Sequence, residues 1–500
     1  MKGLVRWLTV GLVLACAFFC FYKLTYPDVQ MWDEADNLGV LMESADAGHP
    51  FQLQREGIPY FDKPHLWYAL TQTAILLGGR NELAFRLVTA GAAFALLLLV
   101  IFTAGRLFGP WPALAAGVFL LAVRQNFFFR PGHRFSTHHY RSADADTLMI
   151  LFLFAAFACL AARVRGWRPG LWLAAVATGL GLLAKGPWAL MPVAGFALFE
   201  LVSPQRVQLP AKELGLAALA FSLVAVPWHL AMMWIWEEAF FHQYIAYVYQ
   251  RVTTGLSGHA PGPGYYLTVL GDRAVFFGLE LSCVAVVAVL LRREKLARFE
   301  RSGTLLTLFC LAAALQGSKT KIAWYVLPLY PFLALLVAAL VADLEAWAAR
   351  RPRLAAGGLA LVFAAMAPFA AFNAYSLLRL PRGPAQRFYA EVQERCRGEE
   401  VVYADTRDSA PIHYLALRYG MRPGAAGTAT CTVARVDTPL PAGFTSTYRE
   451  VVRGAGYVLW RRNQQATTRP ARRSHSSRRG RRGRPSASAT ARAYTSSCPP

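Results

Sequence analysis

Acids and bases set where apolar stretches begin and end are the residues of this chain that could do chemistry. Trp32-Asp33-Glu34-Ala35-Asp36 follows the first apolar run. Paired carboxylates beside a membrane surface could act as a general base or hold a metal. The same acids also suit the first turn of a helix, where the backbone dipole favours negative charge. Tyr60-Phe61-Asp62-Lys63-Pro64-His65-Leu66-Trp67-Tyr68 comes next. A lysine held between aromatics is placed as a point charge for a phosphate at headgroup level. Interfacial anchoring accounts for the same residue types equally well.

Arg141-Ser142-Ala143-Asp144-Ala145-Asp146 runs into another apolar stretch. One aspartate there would serve as a helix cap, so two beside an arginine leave one for other work. Leu182-Leu183-Ala184-Lys185-Gly186-Pro187 breaks two apolar runs. Gly-Pro explains the turn, but the turn does not require Lys185, which falls on the face that carries Lys63. Gly317-Ser318-Lys319-Thr320-Lys321 precedes the aromatic run Trp324-Tyr325-Val326-Leu327-Pro328-Leu329-Tyr330-Pro331, so cations again meet an aromatic rim. His133, His138 and His139 cluster near Asp144 and Asp146, with His242 and His259 in another loop. Two histidines and two aspartates could take a divalent cation. No helical i, i+4 pair prepares such a site, and hydrated loop histidines are the competing reading. No metal ligand and no cofactor is assigned, and metal assistance is left open.

These residues must be positioned by a membrane body. Of 500 residues, 55% are hydrophobic and only 16% charged, with mean hydropathy +0.33. A soluble domain has roughly a quarter of its residues charged, so a soluble globular enzyme and a disordered protein are both excluded. The net charge of +23 includes eleven arginines and no acid from Arg461 onward. The remaining excess is ordinary for a protein that keeps Lys and Arg at its cytoplasmic edge.

An uncleaved first span is expected over 4–22. Ten more are drawn at 87–104, 111–123, 147–162, 171–184, 188–202, 214–236, 274–291, 305–315, 322–342 and 354–372. The expected fold is therefore an all-α polytopic membrane protein of about eleven spans. With the N-terminus inside, most short basic loops fall in the cytoplasm and the long loops 23–86, 124–146 and 237–273 fall outside. The misfit is 124–141, an outer segment with four arginines. After Phe372 the pattern predicts helices at 386–397 and 410–419 and strands at 400–404, 432–436 and 457–461. The expected organisation is a transmembrane domain over 1–375, a small extracytoplasmic α/β domain over 376–465, and a disordered basic tail over 466–500. That tail faces away from nucleic acid in this topology. Cys16, Cys20, Cys159, Cys283 and Cys310 sit in apolar segments as small hydrophobes. Cys396 and Cys431 could pair if their domain is extracytoplasmic.

In order, the chain has a DE pair after the first span, a YF-acid-KP segment, an R-x-x-D-x-D span start, an AKGP break and a YxLPLYP span. This ordered set resembles the membrane GT-C glycosyltransferases that use polyprenyl-phosphate sugars. It looks most like the aminoarabinose transferases and protein O-mannosyltransferases, from about Lys2 to Phe372. The resemblance implies transfer of a sugar from a polyprenyl (undecaprenyl) phosphate to an extracytoplasmic lipid, glycan or protein, with inversion. It implies Asp33 as acid/base with Glu34 beside it, and Asp146 ordering the site. Lys63 would contact the donor phosphate, with Lys185 and Arg141 as further cations. Asp144, Tyr60 and Lys319 are candidate substrate contacts. The implied location is the bacterial cytoplasmic (inner) membrane, with the site on the extracytoplasmic face. Aminoarabinose transferases continue the first motif as DEaRYA, whereas this chain has Asp33-Glu34-Ala35-Asp36-Asn37-Leu38, so its headgroup contacts differ. The rival reading is a transporter or flippase for a lipid-linked substrate. Against it, the charges gather at span ends and not at mid-membrane.

Overall fold

A computed structural model of the chain describes residues 2–30, 33–48, 52–128, 138–255, 259–272, 278–348, 350–404, 414–415 and 417–463. Lipid offers backbone N–H and C=O groups no partner, so apolar stretches close their hydrogen bonds internally as helices. The order is α1 (Lys2–Phe21), α2 (Asp33–Asp46), α3 (Leu66–Gly78), α4 (Glu82–Phe108), α5 (Pro110–Ala122), α6 (Asp146–Val164), α7 (Gly170–Ala184) and α8 (Met191–Val202). There follow α9 (Ala211–Phe240), α10 (Tyr247–Thr253), α11 (Tyr265–Leu270), α12 (Leu279–Leu291), α13 (Phe299–Gly317), α14 (Tyr330–Ala348), α15 (Pro352–Leu378) and α16 (Pro384–Arg395).

Among the described residues, six helical stretches are long and apolar enough to cross a membrane. They are Gly3–Phe21, Glu82–Phe108, Asp146–Val164, Ala211–Thr253, Ala323–Ala348 and Pro352–Leu378. Shorter apolar helices include α5, α7 and α12. The centre is α14, whose run from Ala334 to Ala339 is fully enclosed between α5, α12 and α15. By contrast α9 presents Leu223, Leu230 and Trp234 outward, as a lipid-facing helix would. Close crossings use small residues, as membrane helices commonly do. A Cβ on Gly195 of α8 would lie 2.6 Å from the Thr307 hydroxyl and 2.8 Å from its backbone nitrogen on α13.

The bundle has two chemically different ends. At one, Arg165 donates to the Arg106 carbonyl, Arg163 pairs with Glu213, and Arg301 and Lys295 both pair with Asp343. At the other end α6 starts and α7 stops, with Asp146 and Lys185 in contact. The segment read as one long outer loop contains α2 and α3. Neither has the length that marks a span, which is why hydropathy passed over them. Of the four misfit arginines, Arg124 donates to Asn373 and Ser376 on α15, and Arg141 donates to the Tyr22 carbonyl. Arg130 and Arg134 lie outside the described residues.

Beyond α15 the chain forms a small unit. Strands β3 (Val401–Tyr403), β4 (Met421–Pro423), β5 (Cys431–Arg435), β6 (Tyr448–Gly454) and β7 (Tyr457–Arg462) make a sheet of order β4-β3-β5-β7-β6. A separate hairpin, β1 (Gln54–Arg55) and β2 (Ile58–Pro59), lies between α2 and α3. In the sheet β3 runs parallel to β4 and β5, and β7 antiparallel to β5 and β6. The sequence pattern anticipates β3, β5, β7 and α16, but not β4 and β6. β4 has three residues, and β6 carries a register shift between Glu450 and Val452 that breaks its alternation. Most of the helix expected over 410–419 and the tail from residue 464 lie outside the described residues. Cys396 and Cys431 form a disulfide that joins the end of α16 to β5. Asp28 accepts the N–H groups of Ala385 and Gln386, closing the free amino end of α16 from a distant loop. Gly383 is needed for that approach, since a Cβ there would collide with Asp28.

Candidate active site

Helix α2 carries two different faces. Residues three and four apart share a helical face, whereas the next residue is turned away by about 100°. Asp33, Asp36 and Asn37 therefore lie together, and Glu34 points elsewhere. Glu34 is 2% exposed and forms a bidentate pair with Arg86 of α4, at 2.8 and 3.1 Å. It also accepts the N–H groups of Gln30 and Ala143, each at 2.8 Å. Arg86 in turn donates to the carbonyls of Leu24, Pro27 and Asp28. This clamp fixes the entry to α2 and the turn before α6, and it uses up the Glu34 carboxylate.

On the other face, Asn37 is fully buried. Its Oδ1 accepts from Lys63 Nζ at 3.0 Å and from the Tyr68 hydroxyl at 2.7 Å, while its amide donates to the Ala143 carbonyl. Lys63, in the turn before α3, is 7% exposed. Burial opposes its charge, but Asp33 and then Tyr68, Asp62 and Asp36 reverse that and hold it protonated. Asp33 has 30% of its side chain exposed, and its Oδ2 is 3.2 Å from His138 Nε2. Exclusion of water would raise its pKa. Lys63, then His138, Lys185 and Arg251, outweigh this and bring it to about 2.

Asp146, the first residue of α6, pairs with Lys185 and lies 3.2 Å from the same His138 Nε2. Lys185 also sits 5.7 Å above the Tyr325 ring. Asp144 does the work of a cap: its carboxylate accepts the Asp146 N–H at 3.0 Å and the Ser142 hydroxyl. Burial and the charge of Asp146 push the Asp144 carboxyl well above the usual range. A relay from Trp67 Nε1 to Thr89 and on to the Asp144 carbonyl ties this turn to α3 and α4. Tyr60 is buried, with its hydroxyl 3.4 Å from Asp62 and its ring edge-on to Tyr68.

Thus Asp33, Lys63, Asp146 and Lys185 come together. Arg141 does not join them; its Nη2 holds the Tyr22 carbonyl at 2.6 Å. Burial, and then Arg86, lower its pKa to about 10. Lys319 is exposed, and its backbone N–H bonds to the Val252 carbonyl. His139 Nδ1 accepts the Arg141 N–H, a turn contact, and His133 lies outside the described residues. Among the described residues the one group with metal-ligand spacing is Cys396, Glu399 and Cys431, and its sulfurs are bonded to each other.

Sequence reading missed three contributors. Asn37 was legible from its i, i+4 spacing to Asp33, once the segment is taken as a helix. Asp62 accepts from Arg251 at 3.3 Å, and Arg251 stacks on Tyr247. Arg251 reaches the site through a break in the last turn of α9, where Glu237 has φ +34, and a π-helical turn over Phe241–Ala246 before α10. Such turns recur at functional sites, but no sequence signal marks this one.

Residues 62–231 match a family model described as dolichyl-phosphate-mannose-protein mannosyltransferase. An undecaprenyl phosphate-alpha-4-amino-4-deoxy-L-arabinose arabinosyl transferase of Edwardsiella ictaluri is 27% identical over 74% of this chain and 67% of its own length. The protein of that name from Pseudomonas savastanoi pv. phaseolicola is 26% identical over 66% of this chain and 60% of its own. The crystal structure of ArnT from Cupriavidus metallidurans bound to undecaprenyl phosphate superposes with TM-score 0.68 at 17% identity. That match covers 92% of this chain and 98% of ArnT. The fold is that of ArnT. The oligosaccharyltransferase of Archaeoglobus fulgidus matches more distantly, with TM-score 0.52 at 12% identity over 84% of this chain and 65% of its own. The chain resembles the GT-C glycosyltransferases, as its motifs implied.

Proposed function

We propose that the protein is a glycosyltransferase that moves a sugar from a polyprenyl phosphate, undecaprenyl phosphate above all, to a hydroxyl of an extracytoplasmic lipid, glycan or protein. The observation that carries this reading is Asp33, a partly accessible carboxylate in the field of Lys63, Lys185 and Arg251. Three cations facing one reachable acid suit a reaction in which a phosphate departs while a hydroxyl loses its proton. The acceptor oxygen forms a bond to the anomeric carbon. The bond from that carbon to the phosphate oxygen breaks, and its electron pair leaves with the carrier phosphate. The acceptor proton passes to Asp33. Direct displacement inverts the anomeric centre.

Lys63 and Lys185 meet the leaving phosphate, with Arg251 at its edge. The incoming phosphate offsets their field on Asp33 and so makes that carboxylate a stronger base when the donor is bound. Asp146 holds Lys185, Glu34 acts through Arg86 as a positioning residue, and Tyr60 walls the site. Asp144 shapes the turn, Arg141 anchors the end of α1, and Lys319 is an outer cation for the carrier. About eleven crossings, with a membrane body over 1–375 and an appended unit over 376–465, accord with this reading. A disulfide in that unit favours an oxidising, extracytoplasmic side for the site.

The test is transfer of radiolabelled sugar from polyprenyl-phosphate donors to cell-envelope material by purified wild type and Asp33→Asn. Transfer that collapses in the variant while donor still binds supports both enzyme and base. Equal transfer by both removes Asp33 from the chemistry. Substrate movement across proteoliposomes with no transfer at all replaces the enzyme with a transporter.

A further inference from the structure

His138 touches both carboxylates of the cluster through a single atom. Its Nε2 is 3.2 Å from Asp33 Oδ2 and 3.2 Å from Asp146 Oδ2. The other oxygen of Asp146 is on Lys185, so Asp33, His138, Asp146 and Lys185 form one chain of contacts. The imidazole is 2% exposed and lies flat on Trp324, with ring centroids 4.4 Å apart and planes 5° from parallel. Its backbone adopts φ +37, a left-handed conformation that costs a β-substituted residue free energy and persists only where its surroundings impose it. Here the indole face and two carboxylates do so. A strained, stacked and enclosed histidine against a reactive acid is held there for its ring edge.

We propose that His138 is a positioning residue for the base, its Nε2 edge set against Asp33 Oδ2 with Asp146 in close contact behind it, so that the Asp33 carboxylate keeps one orientation. The proposal rests on Asp33 being the base. Two carboxylates brought close repel each other, and an imidazole edge wedged between them fixes their spacing. With Oδ2 engaged, Oδ1 of Asp33 has no hydrogen-bond partner among the described residues and is the oxygen that meets the acceptor hydroxyl. Without the imidazole edge the carboxylate can turn toward Lys63, away from the acceptor. A base displaced by about 1 Å loses on the order of a hundredfold in rate.

The experiment uses the full chain and compares His138→Phe with His138→Gln. Phenylalanine keeps a flat ring over Trp324 and removes the N–H, whereas glutamine returns an N–H donor without the ring. His138→Phe should lower kcat on the order of 10- to 100-fold and leave the KM for the carrier-linked sugar within about twofold. His138→Gln should recover several-fold of that loss although it forgoes the stacking. Wild-type kcat in His138→Phe overturns the proposal. So does a loss that follows melting temperature in both variants, which would make the residue structural. If wild type transfers nothing from any donor, the glycosyltransferase reading falls on that control alone. The contact is then read from the melting temperatures of His138→Phe, Asp33→Asn and the double variant. Non-additive shifts preserve the coupling between the two residues, and additive shifts overturn it.

Discussion

Lys63 can be both charged and buried because Asn37 Oδ1 accepts a hydrogen bond from its ammonium and acids surround it. Asn37→Leu removes the acceptor shared by Lys63 and Tyr68. Hydrogen bonds to charged groups are worth about 1.5–3 kcal/mol, so the variant should bind carrier phosphate at least about tenfold more weakly. Titration of undecaprenyl phosphate against wild type and variant checks this, and unchanged affinity would remove Asn37 from the site. Acid should weaken the fold through His138 first. Its native pKa is lowered from 6.5 to about 4 by burial and by Lys185 and Lys63, against the opposing pull of Asp146 and Asp33. The unfolded chain therefore binds the extra proton between those values, and stability falls as pH drops from 6.5 toward 4. Asp33, depressed from 3.8 to about 2, adds a second loss in that lower window. Melting temperatures across pH in detergent should show both, and His138→Phe should flatten the first. The acids and lysines of the site were legible because each lies at an apolar boundary. Arg251 was not, because its contact with Asp62 spans 189 positions.

At the level of elements, α2 joins chemistry on one face to anchorage on the other, and the two faces should respond differently to mutation. Glu34→Ala leaves the Arg86 guanidinium buried without its carboxylate, a change that typically costs about 3–5 kcal/mol. Asp33→Asn alters a partly exposed side chain and should move stability far less. The expected result is a marked loss of melting temperature and yield for Glu34→Ala, with a smaller loss for Asp33→Asn. Equal melting for all three proteins would refute the clamp. The sequence pair Asp33-Glu34 reads as one acidic motif, and only the helical turn separates the two roles. The same limit explains what hydropathy recovered. Each of the eleven apolar stretches overlaps a helix among the described residues, since exclusion from water is a property of the run itself. Helices α2 and α3 and strands β4 and β6 owe their form to neighbours, and their own sequence carries little periodicity.

Across the whole molecule, charge is divided between two ends. Arg106, Arg163, Arg165, Lys295 and Arg301 mark one end, where the positive-inside tendency places the cytoplasm. The reactive cluster and the unit that carries Cys396 and Cys431 mark the other. The two ends are tied together in sequence but not in chemistry: Asp28 caps α16 and Arg418 pairs with Glu82, so the sheet unit sits at the site end. A disulfide there favours an oxidising compartment. The two arguments are independent, one from loop arginines and one from sulfur, and both favour the outward-facing site proposed above. Exposed Arg382, before α16, and exposed Gln205, between α8 and α9, report the two sides. In a background with Cys283 and Cys498 replaced by serine, Arg382→Cys should react with a membrane-impermeant maleimide on spheroplasts, and Gln205→Cys only after lysis. The reverse pattern would turn the molecule over. A carrier loaded in the cytoplasm would then meet Asp33 without crossing, and the extracytoplasmic acceptor would have to be abandoned. Labelling as expected leaves the donor to be presented at the outer face, which requires that a separate step first move the carrier-linked sugar across the membrane.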